Sequence, residues 1–203
     1  MDEIVIRAIA RWPDVPSVYG WLRLDRRGQW QVKSRATREG APVFERISNP
    51  AVVEFIGRNY ERDGKGRWFF QNGPQRVFVT LDYTPWVFRL DDKGEALVAQ
   101  HGRAPTRIER AFLDEKGAMV LDTDLGPGVL SDRDLAAVLE RLTDPDGGPL
   151  DAETLAADVE AGREREARLL GVRVLVQPLR SPEAPQRFGY DADPRPAPGE
   201  PDC

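Results

Sequence analysis

The chain has 203 residues, 40% hydrophobic and 31% charged, enough to bury a real core in one domain with an appendage. No run of 18 apolar residues exists to cross a membrane as a helix, and the single cysteine, Cys203, excludes an internal disulfide. The net charge of −5 is unevenly spread: residues 1–110 carry 19 Lys and Arg against 14 Asp and Glu, and residues 111–203 carry 10 against 20.

The start, MDEIVIRAIARW, has no basic leader and no small-residue cleavage site, so with one cysteine the expected location is cytoplasmic. Its first ten residues suit strand and helix equally. WLRL at 21–24 and QWQV at 29–32 then read as strands around the turn LDRRG. The same phrase returns as RDGKG at 62–66, LDDKG at 90–94 and LDEKG at 113–117. Asp opens each turn because its carboxylate can take the amide two residues on, and Gly supplies the left-handed position that closes a three-residue loop. VFRL and ALVA flank the third copy, and IERAFL and AMVL the fourth, so these predict hairpins. The second copy reads as joining a helix to a strand.

That helix is expected from Asn49, a capping residue, and Pro50, suited to the first helical position, with Val52, Phe55 and Ile56 at helical spacing. A second helix is predicted from Ser131, with Asp134 completing a capping box and Leu135, Val138, Leu139 and Leu142 forming an apolar stripe. A third is predicted over about 151–170, its second half solvated, followed by a strand in GVRVLVQPL. From Ser181 the chain is rich in Pro and acid.

The expectation is an α+β fold, with one antiparallel sheet of about six to eight strands, two or three packed helices and a disordered C-terminal tail. Residues 1–180 are expected to form a single domain, with a basic half at 1–110 and an acidic half at 111–180. Residues 181–203 are expected to be a structureless Pro-rich tail, too poor in apolar surface to offset its ordering entropy.

Catalytic constellations are sparse. His101, the only histidine, sits in the loop-like QHGRAP, where an exposed histidine is a better reading than a general base. Ser-His and Cys-His arrangements and a zinc site therefore lack their parts, and no cofactor is expected. In AMVLDTDLGPG, Asp122 and Asp124 follow a hydrophobic strand and resemble the first motif of the haloacid-dehalogenase phosphotransferases. That resemblance implies a metal-dependent nucleophile at Asp122 and an acid/base at Asp124. The family's threonine two positions on is Gly126 here, and its parallel sheet conflicts with the antiparallel reading. DPDGGPLDAE at 144–153 fails as a calcium loop, because Pro149 and Leu155 stand where Gly and Glu are required.

The stretch RWFFQNGPQRVFVT, 67–80, carries the candidate binding surface. Strand alternation sends Trp68 and Phe70 to one face, with Val77, Val79 and Leu81. Arg67, Phe69, Arg76 and Phe78 go to the other, and Arg89 joins them if the register aligns it. Rings beside guanidinium groups suit an acidic protein partner or stacked bases. The RNA-recognition signature is absent, since Lys65-Gly66 is followed by Arg67 rather than an aromatic. The bland alternative is that a helix covers this face, burying Phe69 and Phe78 while the arginine heads reach solvent.

IGRNYERDGKGRWFFQNGPQRVFV, PDVPSVYGWLRLDRRGQW and LDTDLGPGVLSDRDLA together resemble a family of bacterial, specifically proteobacterial, proteins catalogued without an assigned function. The resemblance covers most of residues 8–180 and carries over no site residue. The expected function is a non-catalytic domain that binds a protein partner or itself. Single-stranded nucleic-acid binding is the alternative, the phosphotransferase a distant third, and no membrane association is expected.

Overall fold

The computed structural model describes residues 1–34 and 42–200. The chain divides into two compact units, Met1–Pro85 with Gly189–Cys203, and Trp86–Phe188.

The first unit holds α1 (Glu3–Arg11), β1 (Val18–Leu24), β2 (Trp30–Lys33), β3 (Phe44–Arg46), α2 (Pro50–Arg58), β4 (Tyr60–Arg62), β5 (Trp68–Asn72) and β6 (Gln75–Leu81). Its six strands run in the order β3-β2-β1-β6-β5-β4. Only β1 and β6 pair in parallel. The doubtful first ten residues are helical: α1 turns Val5 inward at 1% exposed and leaves Ile4 and Ile6 in solvent. The Asp2 amide anchors the start of α1 by donating to Asn59 Oδ1 at 2.8 Å. Asn49 caps α2 as expected, taking the Ala51 amide at 3.0 Å ahead of Pro50. Phe55 of α2 meets Phe70 edge to face, and Tyr60 lies against Trp30 and Trp68, so the plainly apolar face of the sheet is core.

The second unit holds β7 (Trp86–Leu90), β8 (Leu97–Ala99), β9 (Ile108–Asp114), β10 (Met119–Thr123), β11 (Gly126–Leu130), α3 (Leu135–Leu139), α4 (Ala152–Glu160), β12 (Arg165–Leu169) and β13 (Val172–Leu179). A 3-10 turn at Ser181–Glu183 and α5 (Ala184–Phe188) complete it. The order is β12-β13-β9-β10-β11-β7-β8, with β7–β11 and β9–β13 parallel. Phe88, Phe112, Met119, Leu121 and Val176 are fully enclosed and form its core.

The class is α+β, but the expected single sheet with two or three helices is wrong. There are two mostly antiparallel sheets, of six and seven strands, and five α-helices among the described residues. Turn chemistry announces hairpins, whereas the three parallel pairings join strands distant in sequence, which no local phrase encodes. The fold divides after Pro85, and residues 189–200 return to the first unit. Residues 181–200 are not structureless, and the last three of the expected tail, 201–203, lie outside the described residues. Ser181 donates its amide to Glu115 Oε2 at 2.7 Å, Phe188 meets Phe112 edge to face, and Tyr190, 5% exposed, donates its hydroxyl to the Tyr83 carbonyl at 2.7 Å. A few anchoring side chains order a polar segment where average composition argues against it.

All four turn phrases close hairpins. Gly28, Gly66, Gly94 and Gly117 sit at φ of 75°, 82°, 70° and 76° and donate their amides to Asp25, Asp63, Asp91 and Asp114. The second copy joins β4 to β5, because α2 stops at Arg58 and the next residues pair as a strand. The failed calcium loop is a fifth turn of the same kind: Asp144 Oδ1 takes the Asp146 and Gly148 amides at 2.9 and 2.8 Å.

Two helix expectations change. Ser131 is not the cap of α3; its hydroxyl takes the Arg133 amide at 3.3 Å within a turn, and the Asp134 carboxylate accepts from the Leu90 amide. The helix over 151–170 ends at Glu160, and Arg165–Leu169 is an edge strand, with Ala167 and Leu169 inward and Glu166 exposed. Its buried residues, Ala167 and Leu169, obey a period of two, not 3.6.

Candidate functional site: the basic and aromatic face of the six-stranded sheet

Register places the side chains of this face. Phe69 opposes Phe78, Gln71 opposes Arg76, Arg23 aligns with Thr80 and Gln31, and Lys33 opposes Phe44. Residues paired across strands share a side, so one face collects Tyr19, Trp21, Arg23, Lys33, Phe44, Arg67, Phe69, Arg76 and Phe78.

Its centre is closed. Tyr19, Phe69 and Phe78 form a buried cluster at 6%, 3% and 1% exposed. Tyr19 and Phe78 stack at 4.6 Å with 11° between the rings, and Phe69 meets Phe78 edge to face at 5.9 Å. Arginines lie over the rings: the Arg67 guanidinium is 4.3 Å from the Phe78 centroid and Arg76 is 4.7 Å from that of Phe69. Four of the five expected site residues, Arg67, Phe69, Arg76 and Phe78, therefore come together. Arg89 does not: it lies on β7 of the seven-stranded sheet. The two rings are buried, and stacking a base would require them open.

Further pairs line the outer part of the face. Lys33 lies 5.5 Å over Trp21, which is 47% exposed, and Arg23 lies 5.4 Å over Phe44. Asp82 holds Arg23 in place through two hydrogen bonds.

The segment 189–200 runs along one end of this sheet. The Asp191 amide donates to the Gly66 carbonyl at 3.0 Å, the Leu81 amide to the Ala192 carbonyl at 2.8 Å, and Thr80 Oγ1 to Asp193 Oδ1 at 3.3 Å. Its Glu200 reaches the closed centre: Tyr19 Oη donates to Oε1 at 2.7 Å, and Arg67 Nη1 lies 3.4 Å from Oε2. The Ala197 amide and the Tyr19 hydroxyl hold the Glu200 carboxyl below the usual carboxylate range. Burial, then the bond to Glu200, pushes the Tyr19 phenol up to about 12.

The family described as "Protein of unknown function (DUF2946)" matches residues 1–195. The chain belongs to that family. The resemblance drawn from the sequence phrases, to a family without an assigned function, therefore holds. Two solved structures are similar in part. One, a DUF1285 family protein from Silicibacter pomeroyi DSS-3, has 16% identity and a TM-score of 0.44 and covers 77% of this chain and 99% of its own. The other, a DUF1285 family protein from Shewanella baltica OS155, has 12% identity and a TM-score of 0.37 and covers 57% and 87%. No curated protein matches the chain.

The enzymatic alternatives find no support in the geometry. Strand β10, which ends beside Asp124, is antiparallel to both its neighbours, unlike the sheet the phosphotransferase motif needs. Asp122 pairs with Arg110 at 2.9 Å, and Asp124 takes Thr106 Oγ1 at 2.8 Å and the amides of Thr106 and Arg107. Asp122 is thus committed to the neighbouring strand β9 and Asp124 to the loop that precedes it. Among the described residues no group of three or more His, Cys, Asp or Glu is placed to hold a metal. His101 is not an exposed loop residue: it stacks on Trp86 at 4.6 Å with both ring nitrogens enclosed and unpartnered.

Sequence reasoning missed Tyr19, Asp63 and Glu200 as members of the site. Alternation from Trp21 back to Tyr19 was available for the first. Asp63 was seen only as a turn residue, although its second oxygen takes Arg67 Nε at 2.8 Å. For Glu200, the charge contrast between the two ends of the chain was the one signal.

Proposed function

We propose that this protein is a non-catalytic interaction domain that receives a protein partner on the basic and aromatic face of its six-stranded sheet. The observation that carries this reading is that the face already holds an acidic segment, 189–200, while leaving the Trp21–Lys33 pair open beside it. An aromatic ring with a cation above it is a typical anchor for a partner surface, because ring burial supplies affinity and the charge selects an acidic counterpart. The base-stacking alternative depends on rings that are covered in this fold.

The test is co-purification of the tagged protein from its own cells, comparing wild type with Trp21→Ser and with Lys33→Glu. Both positions are at the surface, so melting temperature should stay within a few degrees while retention of the specific partner falls about tenfold or more. Unchanged retention in both variants would remove this face from the interaction.

A further inference from the structure

Two side chains converge on one carboxylate. Tyr19 Oη and Arg67 Nη1 stand 3.1 Å apart, joined by a hydrogen bond, and both point at Glu200. Neither is free to wander. Arg67 is fixed from one side by Asp63 Oδ2 and from another by the Phe78 ring, and Tyr19 is stacked on that same ring. The Arg67 side chain is only 12% exposed and that of Asp63 10%, so these bonds are shielded from water. A hydroxyl and a guanidinium held rigidly at this spacing make a preorganised receptor for a carboxylate, since little side-chain entropy remains to be lost on binding.

The occupant is attached far more lightly. Glu200 arrives on a short turn in which its amide donates to the Ala197 carbonyl, with Gly199 at φ +84°. Its side chain is 27% exposed. A partly solvated carboxylate on a proline-flanked turn is the kind of ligand that exchanges, because its ion pair is screened.

We propose that the Arg67–Tyr19 cradle is a recognition site for a glutamate or aspartate carboxylate presented by an acidic, proline-containing segment of a partner protein, and that Glu200 is the chain's own occupant, which the partner displaces. The proposal rests on the interaction reading above and deepens it. The chain's own residues 194–200, PRPAPGE, define the ligand chemistry: a proline-rich approach, a turn at Gly199, then the carboxylate. Because Glu200 competes from within the same molecule, at an effective concentration far above that of any free segment, the site is closed until a better acidic ligand arrives.

The probe is the amidated peptide PRPAPGE, titrated into the full chain and followed by NMR at the Arg67 Nε–H and Tyr19 ring signals. Glu200→Gln should bind it about tenfold more tightly than wild type, because the internal competitor is gone. Adding Tyr19→Phe to Glu200→Gln should remove most of that gain while keeping the ring stack, and PRPAPGQ should bind neither protein. Arg67→Lys serves beside Tyr19→Phe as the second cradle variant, since Arg67→Ala would also strip the cover from Phe78. Equal affinity of wild type and Glu200→Gln, or equal binding of the two peptides, would overturn the cradle. If Trp21→Ser and Lys33→Glu nevertheless lose the partner, the interaction reading stands and only the cradle falls.

Discussion

The Arg67 guanidinium lies 4.3 Å above the centroid of Phe78, a ring that is 1% exposed. The cation closes the ring off from water while Tyr19 stacks against it at 4.6 Å. Removing the ring empties the centre of the face and leaves Arg67 without its platform. Phe78→Ala should therefore cost about 3–5 kcal/mol of stability. A urea titration checks this; a variant that unfolds at the wild-type midpoint would mean the ring is an accessible platform and not core.

Gly66 faces the Gly189 carbonyl so closely that an added Cβ would collide with backbone, and its φ of +82° is itself strained for any side chain. Gly117 shares the turn phrase at φ +76° but faces open space. Gly117→Ala should lose about 1–2 kcal/mol from backbone strain alone. Gly66→Ala should lose more and should loosen residues 189–200, so limited proteolysis ought to cut there first. Equal losses with no new cleavage would show that the close approach does not hold the segment down.

Burial, reinforced by the nearby charge of Arg103, lowers the pKa of His101 from its ordinary 6.5 to about 4. The folded protein therefore keeps the imidazole neutral at pH values where the unfolded chain protonates it. This contribution to stability is fully present above pH 6.5 and is lost as pH falls toward 4. Being the only histidine, His101 gives an unambiguous NMR titration, and a midpoint near 6.5 in the folded protein would contradict its enclosure. His101→Phe, which keeps a ring on Trp86, should flatten the stability profile across that window.

The residues determined their local structure legibly. Asp and Gly three apart produced the same turn wherever they occurred, because the carboxylate and the left-handed glycine satisfy the loop within itself. Asn49-Pro50 started a helix for an equally local reason, and alternation correctly separated Phe69 and Phe78 from Trp68 and Phe70. What lay beyond local reach was decided by tertiary structure. The charged EREAR run is helical in composition yet becomes β12, because β13 offers it a pairing edge. The pairing of β1 with β6 and of β9 with β13 depends on segments dozens of residues apart, so one expected sheet became two. Glu200 carries no sign in its own neighbourhood of belonging to Tyr19 and Arg67. Only the return of residues 189–200 to the first unit, anchored at Tyr190 and Asp191, brings the acidic end of the chain onto its basic face.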